Sequence, residues 1–301
     1  MKTVLISGGS GFIGSHLCRA VGDLDWRVLV LTRDRNRAAQ RLPSHVTLID
    51  NLNQLETYSP VDILVNLAGH SLADGRWNKR RKQQIISSRI GTTDALYKFF
   101  KFQASPPAVV ISGSAIGYYG AGTGNDKAIT EDSPVLANFS QQLCADWERS
   151  ARQFEHLGAR VCYLRTGIVL GEQGALAKML TPFKLGLGGP IGNGRQWMPW
   201  IHIDDLVNII IYCIQQDGLK GAVNGTAPEP LRNRDFVKTL GAVLKRPTLL
   251  PMPAPLVRLL FGQMGHELLL QGQRVIPKKL EDRGFQFKYT DLNSALSDLL
   301  S

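Results

Sequence analysis

Cysteine is scarce in this chain. Four residues in 301, Cys18, Cys144, Cys162 and Cys213, are scattered with no C-x-x-C spacing. That sets aside a disulfide framework and a cysteine-based zinc site, and leads us to expect reduced, mostly buried thiols in a cytoplasmic protein. No His/Cys/carboxylate set has metal-ligand spacing. Long apolar runs are missing too. Val207–Ile214 is among the longest and is far too short to cross a membrane. No signal or transit pattern precedes the first strand, and there is no internal repeat or low-complexity tract. Basic residues are in excess, with a net charge of +10. They cluster only at Arg33–Arg41 and Arg76–Lys82, without the interleaved stacking aromatics of a nucleic-acid groove. The expectation is a site for an anionic cofactor and substrate, with no nucleic acid and no membrane as partner. Hydrophobic content of 44% is ordinary for a globular protein.

What is present starts at the N-terminus. Thr3–Ser7 reads as a buried strand, followed at once by Gly8-Gly9-Ser10-Gly11-Phe12-Ile13-Gly14 and then by a helix pattern from Ser15. Strand, glycine-rich turn and helix in that order make a dinucleotide phosphate site. Glycine lets backbone approach a pyrophosphate, and the helix N-terminus offers free N–H groups.

Apolar strand-like runs then alternate with helical patterns, as a parallel sheet with helices on both faces requires. Strands are expected at Trp26–Arg33, Val46–Asp50, Val61–Ala68, Ala108–Ser112 and Arg160–Leu170. Helices are expected from about Asn78 to Phe102, over Ser140–Leu157, and over Asp204–Gln216 with Asp204 or Asp205 as cap. Shorter helices are read over Arg234–Leu244, Ala254–Phe261 and Asp291–Leu300. Composition shifts after Gly171 to the glycine-rich stretch Leu185–Gly194. We read an α/β fold: a Rossmann doubly wound parallel sheet over residues 1–170, with 200–220 returning to it. A smaller C-terminal α/β substrate domain occupies 171–301. The cleft between them, at the carboxyl ends of the strands, is the expected substrate site.

The end of the second strand selects the dinucleotide. An acid there would bond the ribose hydroxyls of NAD and repel a 2′-phosphate. Thr32-Arg33 stands there instead. A hydroxyl followed by a guanidinium suits a 2′-phosphate, which points to NADP(H). Asp34 reads as the cap of the next turn, and Arg35 and Arg37 as a solvated face. Asp50 is placed to accept from the adenine amino group, and Leu67-Ala68-Gly69 to form a small-residue wall against the cofactor.

Four blocks resemble an extended short-chain dehydrogenase/reductase: Ser7–Gly14, Asn66–Gly69, Ser112-Gly113-Ser114 and Trp200–Asp205. Further blocks resemble the YfcH-type epimerase-like branch of the NAD-dependent epimerase/dehydratase family. They are Arg76-Trp77, Ser88-Arg89 with Thr92, Ser112–Gly120, Trp147-Glu148, Pro182–Gly192 and Gly272–Lys278. The resemblance covers nearly the whole chain. It implies a Rossmann fold, NADP(H) binding, contacts at Thr32, Arg33, Leu67, Ala68 and Arg89, and Val169 packed near the nicotinamide. Arg89 also has a rationale of its own, as a cation on the helix after the fourth strand that reaches the ribose or pyrophosphate.

The resemblance stops at the proton-transfer pair. Such enzymes carry Ser or Thr after strand five, then Tyr-x-x-x-Lys on the next helix, a spacing that keeps both side chains on one face. Ser114 stands in place, but Phe139 occupies the Tyr position and Leu143 the Lys position. The literal Tyr97-x-x-x-Lys101 lies on the wrong helix. Tyr118 is the leading substitute, as catalytic partner of Ser114. Ser140 and Cys144 lie near the vacated positions, without a neighbouring base in sequence. His202 reads as a substrate contact or a structural histidine. The Arg that grips a nucleotide-sugar pyrophosphate is replaced by Met198, with Arg195 nearby. Two functions follow. One is an NADP(H)-binding epimerase-like oxidoreductase acting on a small polar or sugar-like substrate. The alternative is a non-catalytic NADP(H)-binding redox sensor or regulatory protein. Either is expected as a monomer or homodimer.

Overall fold

The computed structural model describes residues 1–58, 60–120, 122 and 126–300. Six strands come first: β1 (Lys2–Ser7), β2 (Trp26–Leu31), β3 (Thr47–Ile49), β4 (Ile63–Asn66), β5 (Val109–Ala115) and β6 (Arg160–Thr166). They join a later strand, β10 (Gly221–Gly225), in one parallel seven-stranded sheet of order β10-β6-β5-β4-β1-β2-β3. The order reverses between β1 and β4, and a crevice opens outside the carboxyl ends of strands at such a point. β10 carries the return to this sheet as far as Gly225, five residues past the expected 220.

Side chains alternate across the sheet and build a core on each face. Val4, Ile6, Ile63, Val65, Ile111, Cys162 and Leu164 pack on one side, with α1 (Phe12–Ala20) and α7 (Ile203–Gln215). Leu5, Leu64, Val110, Val161 and Tyr163 pack on the other, with α4 (Thr92–Phe100) and α5 (Phe139–Arg152). Each fully buried aliphatic side chain is worth about 1.5–3 kcal/mol. Tyr97, from the misplaced Tyr-x-x-x-Lys, packs edge-on to Phe154 at 5.5 Å in this second core.

The remaining elements are α2 (Arg35–Ala39), α3 (Lys79–Ile86), β7 (Ile168–Leu170), α6 (Gly174–Lys184), β8 (Trp197–Met198) and β9 (Trp200–His202). After β10 come β11 (Leu231–Arg232), α8 (Asn233–Leu244), α9 (Ala254–Leu268), α10 (Lys278–Asp282) and α11 (Leu292–Leu300). β7 pairs with β9, and β8 with β11, outside the main sheet. Phe236, Val237 and Leu240 of α8 and Leu292, Ala295 and Leu296 of α11 belong to the same apolar cluster as β1 and β4.

Three expectations are corrected locally. The helix read over Asn78–Phe102 is two helices, capped at Asn78 and joined by a π-turn at Ser87–Gly91. α7 is capped by His202, whose Nδ1 accepts from the Asp204 N–H at 3.1 Å, because Asp204 and Asp205 already lie inside its first turn. α9 runs to Leu268 through a kink at Gly262, whose φ of 57° is open to glycine. All four cysteines are free and buried. No described helix is long and apolar enough to cross a membrane.

Candidate functional site

Register brings the predicted cofactor residues together. Ser7, the last residue of β1, pairs with Leu31 of β2 and Asn66 of β4, so Gly8, Thr32 and Leu67 leave the sheet side by side. The glycines of the turn have different reasons to be glycine. A Cβ on Gly8, whose φ is +80°, would sit 2.7 Å from the Leu67 carbonyl carbon, and one on Gly14 would sit 2.3 Å from the Gly8 oxygen. These two allow the turn to pack on itself and on β4. Gly11 has only the Gly8 oxygen nearby, at 3.1 Å, and it is the N-cap of α1. No side chain caps that helix and its first turn carries no acid. The N–H groups behind Gly11, at Phe12 and Ile13, therefore remain available to a phosphate.

Around this turn stand the other predicted residues. Thr32 is half-buried, and its hydroxyl and the backbone of Asp34 lie within hydrogen-bond range. Asp34 caps α2 by accepting from the Arg37 N–H at 2.9 Å. Arg33 is exposed and forms no ion pair among the described residues. Asp50 is exposed just past β3. Leu67 and Ala68 are half-buried, held by bonds from Leu67 N–H to the Ser7 carbonyl at 2.8 Å and from Ala68 N–H to Asn66 Oδ1 at 3.3 Å. Val169 lies half-buried on β7.

Arg89 is the least expected of them in its placement. It sits in the π-turn, a device frequent at functional sites. Its backbone carbonyl accepts from Thr93 Oγ1, which in turn accepts from Asn66 at the end of β4. The side chain is 9% exposed. It lies over the Trp147 ring at 5.2 Å and against Gly69, and it donates to the Ile85 carbonyl at 3.2 Å. No carboxylate pairs with it among the described residues. Burial pulls its pKa down to about 10, so the cation persists at neutral pH. A buried guanidinium with donors to spare, beside the wall Leu67–Gly69, fits an anionic or hydroxyl-rich ligand. The basic segment Arg76–Lys82 behaves differently. Arg81 donates to the Ser71 carbonyl at 2.6 Å, and Lys82 reaches Gln263 on α9 at 2.7 Å.

The catalytic candidates lie at the end of β5. Ser114 is buried, and its hydroxyl donates to Glu148 Oε1 at 2.7 Å. Glu148 is held by two bonds from Arg165, each 2.9 Å, in a buried bidentate pair. Burial works against the Arg165 charge, but its bonds to the Glu148 carboxylate outweigh it and raise its pKa. Arg165 also donates to the Tyr119 hydroxyl at 3.0 Å and lies 3.4 Å from the centre of the Tyr118 ring. Tyr119 is fully buried, and burial pushes its phenol up to about 12. Tyr118 is half-buried, and its hydroxyl bonds to no described residue. Sequence reasoning missed Glu148 and Arg165 as site residues. Their only local signal is a Glu inside an amphipathic helix and an Arg inside an otherwise apolar strand.

α5 presents two faces. Phe139 and Leu143 do not look toward Ser114. They pack with Trp77, Ile85 and Met264 in a separate small core, Phe139 edge-on to Trp77 at 5.0 Å. The face beside Ser114 carries Ser140, Cys144 and Glu148, spaced four apart. A Cβ on Gly117, in the turn after β5, would touch Ser140 Cβ at 3.2 Å and Cys144 Sγ at 3.7 Å. Burial pushes the Cys144 thiol up to about 12. His202 is buried and stacks on Tyr289 at 3.9 Å, with Nε2 3.3 Å from Asp298, a structural placement. Arg195 is exposed, and Met198 Sδ accepts from Asn233 at 3.1 Å.

Comparison with known proteins agrees with this architecture. The model of the NAD dependent epimerase/dehydratase family matches residues 4–224, and a domain of unknown function, DUF1731, matches residues 252–299. The epimerase family protein YfhF of Bacillus subtilis is 37% identical over 300 residues, 99% of this chain and 98% of that protein. The crystal structure of the human epimerase family protein SDR39U1 with NADPH is 32% identical, covers 99% of this chain and 98% of that one, and has a TM-score of 0.87. A UDP-glucuronic acid 4-epimerase from Bacillus cereus, 18% identical with a TM-score of 0.77 over 99% of this chain and 97% of that one, shares the fold. The nucleotide crevice, the register that builds it and these matches agree: the chain belongs to the NAD dependent epimerase/dehydratase family.

Proposed function

We propose that the protein is an NADP(H)-dependent, epimerase-like oxidoreductase acting on a small polar or sugar-like substrate. The observation that carries this reading is Thr32-Arg33 at the end of β2, with Arg33 exposed and unopposed by any carboxylate among the described residues. The NADPH bound by the similar human protein supports it. In this reading Gly8, Gly11, Phe12, Ile13 and Gly14 receive the pyrophosphate at the α1 N-terminus. Thr32 and Arg33 hold the 2′-phosphate, and Asp50 accepts from the adenine. Leu67, Ala68 and Gly69 wall the cofactor, Arg89 binds its ribose or pyrophosphate, and Val169 packs near the nicotinamide. The bound nicotinamide supplies hydride exchange. Ser114 commits its proton to Glu148, so its oxygen offers lone pairs to a substrate hydroxyl. To polarise a carbonyl, that proton must swing away from Glu148. Tyr118 closes the same corner from the turn.

The test is a panel of small aldehydes, ketones and keto-sugars assayed for NADPH oxidation. Turnover of any one above the protein-free rate supports the reading. Tight NADPH binding with no turnover across the panel overturns it in favour of a non-catalytic NADP(H)-binding sensor.

A further inference from the structure

α9 brings a carboxylate to Ser140 in the first turn of α5, next to the position the sequence leaves without a base. After the Gly262 kink, Met264 and Leu268 pack with Leu143 and Phe139, which fixes the second half of α9 against α5. Glu267 of that half reaches the first turn of α5. Its Oε2 accepts from the Ser140 N–H at 3.0 Å and from the Ser140 hydroxyl at 2.6 Å, and its Oε1 accepts from Gln263 Nε2 at 2.7 Å. Ser140 lies on the α5 face that carries Cys144 and Glu148 beside Ser114, and it packs under Gly117 of the turn after β5. The Glu267 carboxylate lies beyond the Ser140 hydroxyl and accepts from it. Glu267 itself is half-buried, so one side stays open.

We propose that Glu267, seated on Ser140, is the proton donor and acceptor of this site, in place of the missing tyrosine. The proposal rests on the oxidoreductase reading above. Three donors fill three of the about four acceptor positions of a carboxylate, leaving one on Oε1 for a substrate hydroxyl. Electrons and protons balance with the nicotinamide cofactor as the redox partner. In the oxidative direction the substrate C–H bond breaks and its electron pair leaves as hydride to the oxidised cofactor. The O–H bond breaks, its electron pair forms the C=O bond, and its proton goes to Glu267. In the reductive direction the carbonyl carbon takes hydride, the oxygen takes the proton of Glu267, and the carboxylate is reprotonated from solvent on its open side. The charged groups around it are Lys82 of α3, which bonds Gln263, Arg76 beside Gly262, and His266 on α9 itself.

Two measurements test it. The first is labelling of Glu267 by a water-soluble carbodiimide and an amine, read by peptide mass spectrometry with and without NADPH. Protection by NADPH is expected, and labelling indifferent to NADPH would overturn the proposal even if no variant folded. The second compares wild type, Glu267→Gln and Ser140→Ala on the best carbonyl of the panel across pH. Glu267→Gln keeps the hydrogen-bonding shape and loses the proton. It is expected to bind NADPH as wild type does, to lose about 10²–10⁴-fold in turnover, and to lose one limb of the pH profile. Ser140→Ala keeps the carboxylate, loses less and keeps that limb. Equal turnover and an unchanged profile in Glu267→Gln would overturn the assignment and leave the oxidoreductase reading standing. A wild type inactive on every carbonyl would overturn the reading, and the assignment with it.

Discussion

At the carboxyl ends of β1, β2 and β4, short runs of consecutive residues build the cofactor crevice, largely from backbone. At the corner where α5 meets α9, groups 127 positions apart in the chain meet through side chains, as Ser140 and Glu267 do. The first region is constrained by geometry that almost any dinucleotide imposes: glycine where chains touch, free N–H groups where a phosphate sits. The second carries no such backbone constraint and is held by side-chain contacts. Phe139 and Leu143, where the sequence reading expects tyrosine and lysine, pack in a hydrophobic seam that seats α9.

That contrast can be broken by substitution, beginning with the largest effect. Gly14→Val places side-chain atoms into backbone at 2.3–2.6 Å. It is expected to cost about 5 kcal/mol or more and abolish cooperative unfolding by circular dichroism. Gly11→Ala, which meets one atom at 3.1 Å, should fold and weaken cofactor binding instead. Folding of both alike would show that the turn is not the rigid part.

Glu148→Ala comes next. It strands Arg165 in a buried position with its bidentate partner gone, at a cost of about 3–5 kcal/mol in urea unfolding. Leu143→Lys, which formally restores half of the family pair, puts an unpaired ammonium beside Met264 and Ile85. The expected outcome is a loss of about 3 kcal/mol and no gain in turnover. A gain would mean that the corner still uses the ancestral geometry.

The smallest effect belongs to His202. Burial lowers its pKa from 6.5, against the pull of Asp204, Asp298 and Asp205. Between the folded value and 6.5 the unfolded chain binds the extra proton. Stability therefore rises with pH through that window, is held above it and is lost as pH falls below 6.5. His202→Gln should flatten this slope, by about 1 kcal/mol per pH unit at most, in unfolding curves taken from pH 5 to 8.

Most of the strand–turn–helix geometry of the crevice was legible because its signals are local. Gly8–Gly14, Thr32-Arg33 and Leu67–Gly69 each stand out within a few residues, and the strand register then aligns them. The order of the first six strands was legible from apolar runs alternating with helical patterns, but β10 and α6 were not read, and the strand expected over Arg160–Leu170 is two, β6 and β7, in different sheets. Three features of the site were not legible either. The π-turn that aims Arg89 inward has no propensity signature, since its residues also suit an unbroken helix. The face of α5 beside Ser114 is offset by one residue from the expected motif: Phe139 and Leu143 point to α9, while Ser140 and Cys144 point to β5. Glu267 carries no local mark of a site residue, and only the fold brings it to Ser140.

The central claim is a crevice built for the 2′-phosphate of NADP(H), and its most direct test is a pair of titrations. NADPH and NADH are each titrated into wild type and Arg33→Ala by isothermal calorimetry. The account predicts that wild type prefers NADPH. Arg33→Ala should weaken NADPH by about ten- to hundredfold, the worth of a charge-assisted bond of about 1.5–3 kcal/mol, and leave NADH unchanged. Equal weakening of both cofactors, or no change in NADPH affinity, would contradict it.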